Sequence, residues 1–334
     1  MTKIAILGGG SWGTGLSVVL ARSRRPHDIT LWVRDPATAQ VIREQRVNEK
    51  YLPGVEIPAS VIASSDLHEV LANAYVVLAV LPAAYARSVL VDALPYISPD
   101  AIIVSAAKGL EPVTHLRMSE LIAQVFSLRH VPRVAVLSGP SFALEAARGE
   151  PTAVVIAARE NSVASFLQEE FSGPAFRLYT NDDVLGVELA GPMKNVMAIA
   201  AGACRGLGLG DNSLAALITR GLAEMTRLAV ALGARPETLH GLAGLGDLVL
   251  TCTGALSRNR RVGIELGKGR SLSEILTDMT MVAEGVGTTA PLLELAQQHH
   301  VDVPITEQVN AILQGWKSPG DAIRDIMERP LKKE

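Results

Sequence analysis

The chain has 334 residues, rich in aliphatic side chains and poor in aromatic ones, with an ordinary charged fraction. That composition suits a globular protein of two domains. A formal net charge of −3 argues against a broad polyanion-binding surface, although it leaves room for a local basic pocket. The two cysteines, Cys204 and Cys252, belong to no CxxC or His-rich motif, which argues against a disulfide scaffold or a metal site and for a reducing compartment.

The first apolar run starts after Lys3 and ends at once in Gly8-Gly9-Gly10, so no signal peptide is expected. The longer apolar stretches, near residues 75–86 and 196–204, fall short of a membrane span. A cytoplasmic protein is the expectation. Short β-branched runs at residues 3–7, 29–33, 76–80, 102–105, 134–137 and 153–157 alternate with helical patterns, and "FRLYT" at 176–180 reads as one more strand. Continuous apolar strands separated by helices predict a mostly parallel sheet covered on both faces. From about residue 182 the texture changes to long Ala/Leu/Gly segments at helical spacing: 183–205, 212–232, 258–267, 272–279 and 289–299. The expected organisation is therefore an α/β domain over residues 1–182 and an all-α domain over residues 183–334.

"KIAILGGGSWGTGL" runs from strand through Gly8-x-Gly10-x-x-Gly13 into an amphipathic helix. A bare GxGxxG is a weak signal, but directly after a first strand it points to dinucleotide binding. Gly8 permits the tight turn, Gly10 lets the backbone approach a pyrophosphate, and Gly13 allows helix to pack on strand. The next strand ends in "LWVRD". There Asp35 suits the ribose hydroxyls of NAD and Arg34 suits the 2′-phosphate of NADP, so these two residues leave the choice of cofactor open.

Two stretches in the second half carry chemistry. In "GPMKNVMAIAAG", Lys194 has Val187, Ala190, Gly191, Met197, Ala198 and Ala201 as helix-face neighbours, none of them an acid. Alone, it reads as a lysine whose stem covers apolar surface while its head reaches water. "GLAGLGDLVLTCTGALSRNRRVG" places Asp247 in a glycine-rich loop, followed by Ser257-Arg258-Asn259 at the start of a helical pattern. Ser257 is a good N-cap, and the Arg258 fork beside the first helical N–H groups suits a phosphate. Alone, this too is matched by a capped surface helix with solvated arginines.

With these residues in view, the chain resembles the bacterial NAD(P)-dependent glycerol-3-phosphate dehydrogenase family along essentially its whole length. The motifs that carry the resemblance are "GGGSWGTGL", "AAKGLEP", "LSGPSFALE", "ELAGPMKNV", "GLGDLVLTC", "SRNRRVG" and "VAEGVGT", in that order. The resemblance implies a Rossmann domain followed by a helical domain. It implies that Gly8, Gly10, Ser11, Trp12, Gly13 and Arg34 lie at the cofactor, with Ala143, Arg258, Val282 and Glu284 around it. Lys108 would lie between cofactor and substrate, with Gly139 and Ser141 lining the substrate site. Lys194 would be the catalytic proton carrier, with Lys108 and Asp247 completing the catalytic set and Ser257, Arg258 and Asn259 around glycerol 3-phosphate. Two departures stand out. Pro192 replaces the family's usual small residue and is expected to bend the chain before Lys194, and Gly15, where alanine is usual, is expected to loosen the first helix.

The implied reaction is reversible NAD(P)H-dependent reduction of dihydroxyacetone phosphate to sn-glycerol 3-phosphate, supplying glycerophospholipid synthesis. NAD or NADP serves as cofactor, NADPH being the favoured one, and no metal is expected. Lys194 would exchange the proton. An apolar helix face, with Lys108 and Arg258 near, would favour its neutral form, and Asp247 would orient it or a substrate hydroxyl. The expected partners are a small phosphorylated substrate and a second copy of the chain in a homodimer, with no nucleic acid and no membrane span. The competing readings are a related two-domain dehydrogenase for another hydroxy acid or a sugar nucleotide, and a noncatalytic NAD(P)-binding redox sensor. Oxidation of a sugar nucleotide to an acid requires a cysteine nucleophile, whereas Cys204 and Cys252 read as small buried hydrophobes.

Overall fold

A computed structural model describes residues 1–127, 129–279 and 281–331. The chain divides into two compact units, Met1–Glu188 and Leu189–Glu334.

In the first unit strands and helices alternate: β1 (Thr2–Leu7), α1 (Ser11–Leu20), β2 (His27–Trp32), α2 (Pro36–Gln45), β3 (Val61–Ser64), α3 (Leu67–Leu71), β4 (Val76–Ala79) and α4 (Ala83–Ala93). They continue as β5 (Ile102–Ser105), α5 (Met118–Phe126), β6 (Arg133–Ser138), α6 (Ala143–Arg148), β7 (Thr152–Ala158), α7 (Asn161–Phe171) and β8 (Phe176–Asn181). The eight strands form one sheet in the order β3-β2-β1-β4-β5-β6-β7-β8. Every pairing is parallel except β6 with β7. The mostly parallel α/β architecture is thus as expected, and β3, a short edge strand, is an addition to the strands anticipated.

Strand alternation divides the apolar residues between two cores. Ile4, Ile6, Val76, Leu78, Ile102 and Val104 face one layer of helices, into which α1, α2, α6 and α7 send their buried residues. Ala5, Leu7, Val77, Ala79 and Ile103 face the other layer, built on α3, α4 and α5. Both faces are dry, which explains why these strands read as unbroken apolar runs. From β1, the chain order runs outward in opposite directions through β2 and through β4, so the loops at their carboxyl ends part to open a crevice.

The second unit is helical throughout its described residues: the long α8 (Val184–Gly206), whose first turn belongs to the first unit, α9 (Asp211–Ala231), α10 (Pro236–His240), a π turn at Leu242–Gly246, and α11 (Asp247–Thr253). Then follow α12 (Arg258–Gly267), α13 (Leu272–Thr277), α14 (Glu284–Gln298), α15 (Pro304–Leu313) and α16 (Pro319–Met327). One expectation is corrected here. Asp247 does not sit in a glycine-rich loop: it is the first residue of α11, because the glycines before it wind into a π turn that leads directly into the helix. Helix α8 has the length and apolarity of a membrane span, but 89% of its apolar window is buried inside the protein, which makes it a core helix.

Helices α8 and α12 cross with their backbones in contact. A Cβ on Gly202 would stand 2.0 Å from the Arg260 carbonyl oxygen, and one on Gly206 2.2 Å from that of Ile264. From the other side, a Cβ on Gly263 would stand 2.0 Å from the Ile199 oxygen and one on Gly267 2.6 Å from that of Ala203. Only hydrogen fits at these positions, so the glycines on α8 and α12 draw the two helices together at one crossing. On α9, the buried Glu224 carboxylate accepts from the N–H groups of Ile305 (2.8 Å) and Thr306 (2.9 Å), satisfying the opening of α15.

Candidate active site

In the first unit, β1 ends at Leu7 and the chain turns through Gly8 at a φ of +123°. A Cβ there would lie 2.3 Å from the Val80 carbonyl oxygen, and one on Gly13 would lie 1.8 Å from that of Gly8. Gly10 is different: a Cβ on it would meet nothing within 4 Å, and it precedes α1 without any side-chain cap. The N-terminal N–H groups of α1 thus carry no side-chain cap, and the space beside Gly10 is clear, next to the half-buried Ser11 and Trp12. This cradle fits a pyrophosphate. Gly15, expected to loosen α1, instead admits α6: its Cβ would lie 3.1 Å from the carbonyl oxygen of Ala143.

Beyond β2, Asp35 caps α2. Its oxygens accept from the N–H groups of Ala37 and Thr38, both at 3.2 Å, and from the Thr38 hydroxyl at 2.5 Å. That hydroxyl holds the Asp35 carboxyl below the usual carboxylate range. Arg34 is exposed, its guanidinium 5.7 Å from the centre of the Tyr85 ring.

After β5, Lys108 points across to the loop that follows β6. Its Nζ donates to the Gly139 carbonyl (2.9 Å) and lies 3.4 Å from the Ser141 hydroxyl, which itself donates to Gly139 (2.9 Å). The residues expected to line a substrate in this half thus form one cluster. The loop behind Lys108 is pinned by buried Glu111, which accepts from Arg87 and Thr114. The Arg87 hydrogen bonds hold the Glu111 carboxyl below its ordinary range.

In the second unit, Lys194 is no snorkelling lysine. Its side chain is 6% exposed, and Nζ lies 2.8 Å from Oδ1 of Asp247, itself 2% exposed. Nζ also donates to Oγ1 of Thr251 at 2.6 Å, and that hydroxyl stands 3.2 Å from the same Asp247 oxygen. Asp247 and Thr251 are one turn apart on α11 and so share a face. Thr251 is a member of this cluster that sequence reasoning missed. Pro192, expected to bend the chain, lies inside α8, which remains helical from Val184 to Gly206 and carries Lys194 into the cluster.

Ser257 is the N-cap of α12, its hydroxyl accepting from the Arg260 N–H at 3.2 Å. Arg258 opens the helix. Crowding by protein atoms pushes its ionisation down, and the Glu284 charge opposes that. Asn259 is buried, and its Oδ1 accepts from the N–H of Gly285 at 2.9 Å, leaving its NH2 as the part that can serve a ligand. The bond ties the start of α12 to the start of α14, where Glu284 is half-buried and Val282, just before it, is exposed. Cys252 is fully buried, and burial pushes its thiol up to about 12, which disqualifies it as a nucleophile. Among the described residues no group of His, Cys, Asp and Glu could hold a metal ion.

Residues 3–164 match the family profile for the N-terminus of NAD-dependent glycerol-3-phosphate dehydrogenase, and residues 183–324 match that for its C-terminus. The chain belongs to the NAD(P)-dependent glycerol-3-phosphate dehydrogenase family. It is 52% identical to the glycerol-3-phosphate dehydrogenase [NAD(P)+] of Koribacter versatilis, with 100% of this chain and 99% of that one covered. It is 50% identical to the protein of the same name from Acidobacterium capsulatum, with both chains covered in full. The crystal structure of glycerol-3-phosphate dehydrogenase from Coxiella burnetii superposes with a TM-score of 0.92 at 41% identity, covering 98% of this chain and 99% of that one. Membership in this oxidoreductase family sets aside the noncatalytic redox sensor.

Proposed function

We propose that the chain catalyses the reversible reduction of dihydroxyacetone phosphate to sn-glycerol 3-phosphate with NADPH, in the cytoplasm, for glycerophospholipid synthesis. The observation that carries this reading is the buried Lys194 ammonium, held by Asp247 at 2.8 Å and Thr251 at 2.6 Å in a chain of this family. Hydride transfer at the carbonyl carbon is the chemistry the bound nicotinamide supplies. Lys194 supplies the proton. In reduction its ammonium donates to the carbonyl oxygen, and in oxidation the neutral amine takes the hydroxyl proton back. Asp247 and Thr251 aim the ammonium. Lys108, Gly139 and Ser141 line the substrate, and Ser257, Arg258 and Asn259 hold its phosphate at the opening of α12. Gly8, Gly10, Ser11, Trp12, Gly13 and Arg34 serve the cofactor together with Ala143, Arg258, Val282 and Glu284.

The preference for NADPH rests on the residues after β2. Both carboxylate oxygens of Asp35 are engaged by α2, whereas Arg34 presents its fork to solvent beside Tyr85. Asp35 is thus committed to holding α2, and Arg34 offers the cation that a 2′-phosphate needs.

The deciding assay follows oxidation of NADPH and of NADH by dihydroxyacetone phosphate, for the wild type, Lys194→Ala and Arg34→Ala. Turnover of Lys194→Ala within a few-fold of the wild type would remove Lys194 from the chemistry. An unchanged NADPH-to-NADH ratio in Arg34→Ala would remove the 2′-phosphate contact. A homodimer completes the reading, and sedimentation velocity tests it.

A further inference from the structure

Asn48 belongs to none of the motifs, yet it reaches into the glycine turn. It follows α2 in a loop secured on both sides. Its own carbonyl accepts from the N–H groups of Tyr51 (3.2 Å) and Leu52 (2.8 Å), and the Arg46 side chain donates to the carbonyls of Ile57 (3.1 Å) and Val61 (2.9 Å). Leu52, Val55 and Ile57 anchor the loop in the core. From this base the buried Asn48 side chain donates through Nδ2 to the Gly9 carbonyl (3.0 Å) and to the Thr14 hydroxyl (2.8 Å). A carbonyl can only accept, so the amide nitrogen must be the atom facing Gly9. Oδ1, on the other side, is buried without a partner among the described residues. A buried amide kept at that cost of desolvation is held for its two donated bonds.

In a planar trans peptide the carbonyl and the following N–H point in opposite directions. With the Gly9 oxygen drawn toward Asn48, the Gly10 N–H is turned to the opposite side, away from Asn48. The second bond, to Thr14 in the first turn of α1, locks the turn to the helix whose N-terminal dipole favours an anion. We propose that Asn48 is a positioning residue for the cofactor, which holds the Gly9–Gly10 peptide so that its N–H faces the pyrophosphate. This rests on the reading that the turn from Gly8 to Gly13 holds that group.

The test measures binding of NADPH and of adenosine 2′-monophosphate, which lacks the pyrophosphate, to the apoenzyme by calorimetry. Asn48→Asp keeps the shape and loses the donors. Its dissociation constant for NADPH should rise about tenfold, the loss of roughly one hydrogen bond, with affinity for adenosine 2′-monophosphate unchanged. In turnover, KM for NADPH should rise with kcat retained. Asn48→Ser, which keeps one donor, should fall between Asp and wild type, and it decides the matter if the Asp variant does not fold. Equal weakening of both ligands would make Asn48 a purely structural residue, and unchanged NADPH binding would also overturn the proposal. Gly10→Val separates the two levels. If its side chain, placed in open space, leaves NADPH binding intact, the turn does not hold the pyrophosphate. If it blocks NADPH while the Asn48 variants bind normally, only the role of Asn48 falls.

Discussion

Removing Lys194 tests the ion pair without any reference to turnover. The Lys194 and Asp247 side chains are 6% and 2% exposed, and Nζ–Oδ1 is 2.8 Å. Lys194→Met preserves the stem and deletes the ammonium, which leaves the Asp247 carboxylate buried opposite a thioether. Breaking a buried pair from one side costs about 3–5 kcal/mol, because the remaining charge stays desolvated. Asp247→Asn should cost a similar amount for the opposite reason. The double variant removes both charges, so its loss should fall short of the sum by at least ~2 kcal/mol. Urea denaturation of the four proteins at neutral pH measures all the terms, through midpoints at constant slope. A snorkelling lysine would give another result: a loss below ~1 kcal/mol for Lys194→Met, as for an exposed pair. That result, or simple additivity in the double variant, would refute the buried-pair argument.

Thr251→Val keeps shape and removes the hydroxyl 2.6 Å from Lys194 Nζ. A hydrogen bond to a charged group is worth about 1.5–3 kcal/mol, so kcat should fall by ~10- to 100-fold while KM for dihydroxyacetone phosphate moves little. Gly263→Ala drives a methyl to 2.0 Å from the Ile199 carbonyl oxygen. It should lower stability by ~1–3 kcal/mol or more, read as a drop in melting temperature, with activity falling as well. Glu111 is held below the ordinary carboxylate range by Arg87, so its contribution to stability is complete above the unfolded carboxylate value of ~4.3 and is lost as pH falls through the lower folded value. Glu111→Gln should accordingly be less stable than wild type at neutral pH, with the gap closing toward acid in pH-dependent urea melts.

The alternation that predicts the parallel sheet is a one-dimensional signal, and it survives folding because both faces of the strands are dry. Edge strand β3 escapes it: "VIAS" is short, and Ile62 on it is 48% exposed, so the apolar run breaks. Helix α11 escapes for another reason. Gly241, Gly244 and Gly246 lower helix propensity in the window before Asp247, and only the structure shows Leu242–Gly246 wound into a π turn. Once α11 is a helix, the i, i+4 spacing of Asp247 and Thr251 points to Thr251; read as a loop, the same letters say nothing. The Asp35 cap was legible, since Asp followed by Pro36 is a helix-start signature. Its competing match to the ribose-binding acid hid it. Asn48 left no local mark, because its partners Gly9 and Thr14 are 39 and 34 residues away in the chain.

The crossing of α8 and α12 is assembled from main chain, and that limits how it can change. Where two side chains meet, a larger one can be answered by a smaller one opposite, and pairs of positions drift together. Here the atoms opposite Gly202, Gly206, Gly263 and Gly267 are carbonyl oxygens, which no substitution trims. A methyl gained at any of the four has no compensating replacement across the contact. Suppressors would have to shift a whole helix, and α8 carries Lys194 while α12 carries Arg258. Selection for altered substrates will therefore find its room in the loops around these helices, with the crossing itself held fixed.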